Sequence, residues 1–119
     1  MSDEREILEH EVIDGVHVLR LHMSDLEDGA PLMALNERME KLLENSDSSP
    51  KVIVNLSSVE YMVTTALAKL VSYRRRILGK NGGLSLCGLQ PAVQEVMEIT
   101  KFDELFDICE DEPQALKAM

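Results

Sequence analysis

The sequence predicts an α/β fold: a mixed, mostly parallel sheet of about five strands with four helices, opened by an antiparallel hairpin. Two observations carry this reading. From residue 31 onward, β-rich and helix-periodic segments alternate, which calls for right-handed crossovers between parallel strands. Within that stretch Val52-Ile53-Val54-Asn55-Leu56 is a continuous apolar run rich in β-branched residues, the pattern of a strand buried on both faces. With 119 residues the chain is near the commonest size for one core, so residues 1–119 are expected to form a single domain.

The elements follow in order. Ile7 to Ile13 and Val16 to Met23 are two strand-like runs separated by Asp14-Gly15, a dipeptide that accepts the positive φ angles of a two-residue hairpin turn. Residues 31 to 44, started by Pro31, place Leu32, Leu35, Met39, Leu42 and Leu43 on one helical face and Glu37, Arg38, Lys41 and Glu44 on the other. Asn45 to Pro50 is turn chemistry and releases the chain into the apolar run at residue 52. After the Ser57-Ser58-Val59-Glu60 loop, a helix over residues 65 to 79 carries Leu67, Leu70, Val71, Ile77 and Leu78. Leu84 to Leu89 reads as an interior strand, Pro91 opens a third helix with Val93, Val96 and Met97 inward, Leu105 to Ile108 is a last short strand, and Pro113 starts a terminal helix.

Composition excludes several functions. The formal net charge is −10, which repels a phosphate backbone or an anionic membrane surface, so neither nucleic acid nor membrane insertion is expected. Aromatic residues make up 3 % of the chain and Trp is absent, which removes the stacking platforms of single-strand or sugar sites. Met1 to Glu6 is acidic and lacks the features of a secretory signal, and no apolar run approaches a membrane span, so a cytoplasmic location is expected. There Cys87 and Cys109 are expected as buried, reduced thiols. His17 and His22 differ by an odd number of positions and face opposite sides of one strand, so a shared metal is not expected. No nucleophile with an adjacent base, phosphate loop or framed carboxylate pair is present, which argues against an enzyme and against a cofactor.

The residues that can do chemistry cluster at one junction. Thr64 and Thr65 stand where a loop passes into the second helix, where one hydroxyl is expected to cap first-turn amides. The same helix start favours negative charge, so a phosphate there is tolerated by the fold while changing what a partner meets. Arg74-Arg75-Arg76 with Lys80, late in that helix, is the main basic cluster and reads either as a solvated face or as a docking patch for an acidic partner.

The run from Val52 to Leu70, centred on Tyr61-Met62-Val63-Thr64-Thr65-Ala66-Leu67, resembles the central motif of the STAS domain family, most closely that of the bacterial anti-sigma factor antagonists. Gly82 to Val93 and Ile99 to Phe106 resemble the family's later strand, helix and closing strand, so the similarity spans almost the whole chain and implies a STAS-like fold. In the antagonists, Asp-Ser-Ser/Thr-Gly-Leu opens the helix and the Ser after the Asp is phosphorylated by a partner kinase. Here Val63 replaces the Asp, Thr64 takes the acceptor position, Thr65 the second hydroxyl, Ala66 the Gly and Leu67 the Leu, while Lys101 stands where a Gly is common. The resemblance implies a regulatory protein-binding module that engages an anti-sigma factor of the serine kinase type, or another STAS-associated signalling protein, and so releases a sigma factor. Val63, Thr64, Thr65, Ala66, Leu67, Arg74 and Arg75 would form the interface, with Thr64 or Thr65 as phosphoacceptor. The alternative is an unswitched STAS scaffold in a signalling complex or transporter, which the loss of the Asp at Val63 favours.

Overall fold

Asp14 and Gly15 both adopt positive φ, 51° and 81°, and this tight turn folds β1 (Leu8–Ile13) antiparallel onto β2 (Val16–Leu21), with Leu8 opposite Leu21 and Ile13 opposite Val16. The computed structural model describes residues 7–46 and 48–119, so the acidic segment Met1 to Glu6 and Asp47 of the turn-rich loop lie outside the described residues. After the hairpin come β3 (Asp25–Leu26), α1 (Ala30–Asn45), β4 (Lys51–Asn55), β5 (Tyr61–Met62), α2 (Thr64–Gly79), β6 (Gly83–Cys87), α3 (Pro91–Ile99), β7 (Asp107–Cys109) and α4 (Glu112–Ala118). The main sheet has the order β1-β2-β4-β6-β7, antiparallel only at the β1 edge, as the alternation of elements requires. A second ribbon, β3 paired in parallel with β5, has no counterpart in the sequence reading, because two residues are too few to show a period.

Side-chain alternation along β4 divides the core. Val52 and Val54 point to the face covered by α1, α2 and α3, where Leu35, Met39, Leu70, Ile77 and Met97 are buried; Ile53 points to the other face and packs with Val16, Val18, Cys87 and Ala115 of α4. All three β4 residues are fully buried, as expected for a strand covered on both sides.

Several boundaries and contacts differ from the sequence expectation. β6 stops at Cys87 instead of Leu89, because Gly88 takes a positive φ of 73° and its amide turns to the Cys109 carbonyl. The expected strand over Leu105 to Ile108 begins later: Lys101 adopts left-handed geometry at φ 63°, a 3-10 turn follows over Phe102–Glu104, Phe106 turns into the core, and only Asp107–Cys109 pairs. That conformation accounts for the Gly common at the Lys101 position. In α2, Leu78 is exposed and Tyr73 takes the core position instead, donating from its hydroxyl to Asn36 Oδ1 at 2.8 Å. Cys87 is buried as expected but Cys109 is only half-buried; both are free thiols and stand opposite each other in the β6–β7 register.

Candidate partner-binding site

The β3–β5 ribbon delivers the chain to α2. Met62 is buried, and the amide of the following residue, Val63, donates to the Leu26 carbonyl at 3.1 Å, which continues the ribbon pairing up to the helix. Val63 is extended (φ −76°, ψ 159°), packs its side chain against the main core and occupies the N-cap position. Its carbonyl accepts from the amides of Ala66 at 3.0 Å and Leu67 at 3.3 Å. The expectation that a threonine hydroxyl caps the helix is therefore corrected: the cap position belongs to Val63, which has no side-chain acceptor, and Thr64 and Thr65 are the first two residues inside the helix. Both are exposed. Among the described residues neither hydroxyl has a protein partner, so the hydroxyls and the positive end of the helix dipole face outward together.

Thr65 lines an open groove of about 430 Å³ between α1 and α2, together with Asp28, Leu32, Met33, Asn36 and Lys69. Met33 is 61 % exposed there, a large apolar side chain with no cover. Asn36 is held by Tyr73, whose hydroxyl burial pushes up to about 12, so it remains a proton donor at neutral pH. Lys69 lies one turn beyond Thr65 on α2, in reach of a negative group carried at Thr65, while the same relation from Thr64 falls on Ala68.

The remaining predicted residues separate. Ala66 and Leu67 are buried in the core, which corrects their assignment to the interface: they fix α2 to the sheet and present nothing to a partner. Arg76 is held by Glu40 of α1 through two contacts, 2.7 and 2.9 Å, and lowers that carboxyl below its usual range. Arg75 is exposed and Arg74 half-buried, and neither makes an ion pair among the described residues. Eleven residues, or three helical turns, separate Arg75 from Thr64, so both lie on one stripe of α2, about 16 Å apart along the axis. Sequence reasoning missed Asp28, Met33 and Asn36. Met33 had a signal, since it falls beside the apolar stripe of α1 and not on it.

An exposed pair of hydroxyls at a helix start, beside a solvent-open groove, thus stands on an α/β fold whose main sheet is antiparallel only at one edge. Residues 4–115 match the pattern of the STAS domain, and the chain belongs to the STAS domain family. It is 31 % identical over 58 residues to the STAS-domain containing protein PA14_20770 of Pseudomonas aeruginosa (strain UCBPP-PA14), a match covering 49 % of this chain and 57 % of that protein. The chain thus matches little more than half the length of that relative. Among solved structures, the Thermotoga maritima protein TM1081 superposes with a TM-score of 0.82 at 18 % identity, covering 97 % of this chain and 96 % of that one. An anti-sigma factor antagonist from Mycobacterium paratuberculosis gives 0.79 at 23 % identity, covering 93 % and 91 %. The anti-sigma factor antagonist SpoIIAA in its unphosphorylated form gives 0.75 at 15 % identity, covering 93 % and 94 %. The fold is that of anti-sigma factor antagonists, and among the described residues no helix is long and apolar enough to cross a membrane.

Proposed function

We propose that this chain is a non-catalytic regulatory module of the anti-sigma factor antagonist type. It acts as one domain in the cytoplasm and binds an anti-sigma factor of the serine kinase type through the stripe from Thr64 to Arg75 and the adjoining groove. Phosphorylation of Thr64 weakens that complex. The observation that carries this reading is the placement of Thr64: exposed, without a protein partner, and at the first position of α2. A phosphate adds about −1.5 to −2 charge at neutral pH, and the helix start accommodates it without disturbing the fold. A docked partner would have to pair that charge or desolvate it. Neither nucleic acid nor a cofactor is required.

A second reading rests on Val63, which puts an apolar side chain against the core where the antagonists carry a carboxylate. On that reading the same surface holds a larger assembly together without a switch. Affinity capture from native cytosol, followed by phosphosite mapping of the bait, separates the two. A kinase-fold partner with phosphate on Thr64 supports the switch; a transporter or stacked STAS proteins, with an unmodified bait, supports the scaffold and overturns the switch.

A further inference from the structure

A pair of sulfurs lies under α4, on the face of the main sheet opposite the one that α1 and α2 cover. Cys87 and Cys109 are register partners in the parallel β6–β7 pair, so their side chains leave the sheet on the same side. Both join the cluster of Val16, Val18, Ile53 and Ala115, Cys87 as a fully buried member and Cys109 at its half-buried margin. Neighbouring strands run about 4.8 Å apart, inside the roughly 4.4–6.8 Å separation of Cα atoms in disulfides. A bond also needs the Cβ atoms about 3.8 Å apart, a closer approach than register partners ordinarily make. β7 is placed to supply that movement. It has three residues, forms an edge of the sheet, pairs there with β6 alone and follows the irregular stretch from Lys101 to Phe106.

The two thiols differ in access. Cys109 lines an open cavity of about 370 Å³ with Gly88, Leu89, Gln94, Ile108 and Glu110, wide enough to admit a small hydroperoxide. Cys87 has no exposed surface. Burial first, then Glu112, Cys109 and Asp111 against an opposing Arg20, pushes its thiol up to about 12, so Cys87 alone is a poor nucleophile at neutral pH.

We propose that Cys87 and Cys109 form a redox-active dithiol, which hydrogen peroxide or an organic hydroperoxide converts to an intramolecular disulfide. Cys109 reacts first. Its thiolate sulfur attacks one peroxide oxygen and the O–O bond breaks; the other oxygen takes a proton and leaves as water or an alcohol, and Cys109 becomes a sulfenic acid. The Cys87 sulfur then attacks the Cys109 sulfur, the S–O bond breaks, and the hydroxide leaves as water with the Cys87 proton. Two electrons pass from the two sulfurs to the peroxide. The high pKa of Cys87 slows the second step, but the attacking sulfur is already held beside its target by the strand register. The new bond closes the loop of residues 88–108, which carries α3, and ties the edge strand to the interior of the sheet. An excess of a small thiol reverses it by exchange.

The full chain, folded and dilute, is treated with stoichiometric hydrogen peroxide near neutral pH, quenched by alkylation and read by mass spectrometry. The expected product has lost two hydrogen atoms, takes up no alkylating agent, and gives on trypsin digestion a linked pair of peptides spanning residues 81–101 and 102–117. Its rate of formation is expected to be independent of protein concentration, and dithiothreitol restores both thiols. Cys109→Ser, a change at a half-buried position, is expected to slow loss of the Cys87 thiol by about tenfold or more, because the sulfur that remains is buried and protonated. Cys87→Ala is expected to leave Cys109 as a sulfenic acid that dimedone traps. Circular dichroism checks that both variants are folded; should Cys87→Ala fail to fold, wild type and Cys109→Ser decide. A folded wild type that keeps both thiols, a link that forms only between two chains or only in urea, or equal rates of Cys87 loss in wild type and Cys109→Ser overturns the proposal.

Discussion

Replacing Glu112 by Gln tests what fastens α4 to the sheet. A helix of seven residues is too short to persist alone, so α4 depends on its contacts. Its apolar contribution is Ala115 against Val16, Val18, Ile53 and Cys87, with Leu116 and Met119 at the margin. Its polar anchor is Glu112, which accepts from Arg20 Nε at 2.7 Å, Arg20 Nη2 at 2.9 Å and Asn55 Nδ2 at 2.6 Å. Arg20 and Asn55 are neighbours in the β2–β4 register, so one carboxylate ties α4 to two strands. A buried hydrogen bond to a charged group contributes about 1.5–3 kcal/mol, and the Gln amide keeps one acceptor oxygen but sets an N–H against the guanidinium. The side chains are 19 % and 17 % exposed, and Arg20 retains Glu9 and Glu11, so the expected loss is reduced to about 2 kcal/mol. The hydrogen bonds from Arg20, and after burial's opposing effect that from Asn55, hold the Glu112 carboxyl below its usual range. Its contribution is therefore complete above the unfolded value of about 4.3 and fades as pH falls through the lower folded value. Urea denaturation of wild type and variant reads this directly: a gap of about 2 kcal/mol near neutral pH that closes on acidification. A gap below about 0.5 kcal/mol at neutral pH, or one that does not change with pH, refutes this account of the anchor.

Three further outcomes follow from the packing. Ile53→Ala and Leu70→Ala, each emptying a fully buried site on opposite faces of the sheet, are expected to cost about 2–5 kcal/mol in chemical denaturation; losses below about 1 kcal/mol place the core elsewhere. Gly82→Ala drives a Cβ into the Pro50 carbonyl oxygen and to 2.9 Å from the Ile77 side chain, so the turn before β6 must shift. The expected loss is about 1–3 kcal/mol, read as a lower denaturation midpoint, and an unchanged midpoint contradicts it. Lys101→Gly relieves left-handed geometry worth about 1–2 kcal/mol against a glycine entropy cost of about 0.5–1 kcal/mol, so thermal stability is expected to rise slightly, and a fall contradicts the reading.

Much of the fold was legible because its signals are periodic and redundant. The β-branched run at Val52 to Val54 lies where it must, and the Asp14-Gly15 turn takes the two positive φ angles its chemistry favours. What escaped the sequence was local. The two-residue strands β3 and β5 carry no period, and the burial of Tyr73 is accompanied by a hydrogen bond from its hydroxyl to Asn36, a tertiary contact that spacing does not show. Spacing also overstated Leu78, which sits one step past the buried Ile77 and turns to solvent. At the candidate site the position of the hydroxyls was readable but their role was not. Whether a threonine sits at the cap or just inside the helix depends on a single residue of register, and Val63 took the cap. The contact between the rings of His10 and His17, 2.9 Å from Nε2 to Nδ1, was hidden for a related reason: it forms across the hairpin, whose register sets Val12 opposite His17.

The central claim is that Thr64 controls binding from the start of α2. It is tested most directly by measuring melting and partner affinity side by side for wild type, Thr64→Glu and Ser58→Glu, using the captured partner. All three proteins are expected to melt alike, because both positions are exposed and a negative charge at a helix start is tolerated. Thr64→Glu is expected to weaken the complex by several kcal/mol if the charge is buried unpaired at the interface. Ser58→Glu, in the loop before β5, is expected to leave affinity unchanged. Equal affinities for all three proteins contradict the switch and leave the STAS fold serving as a scaffold.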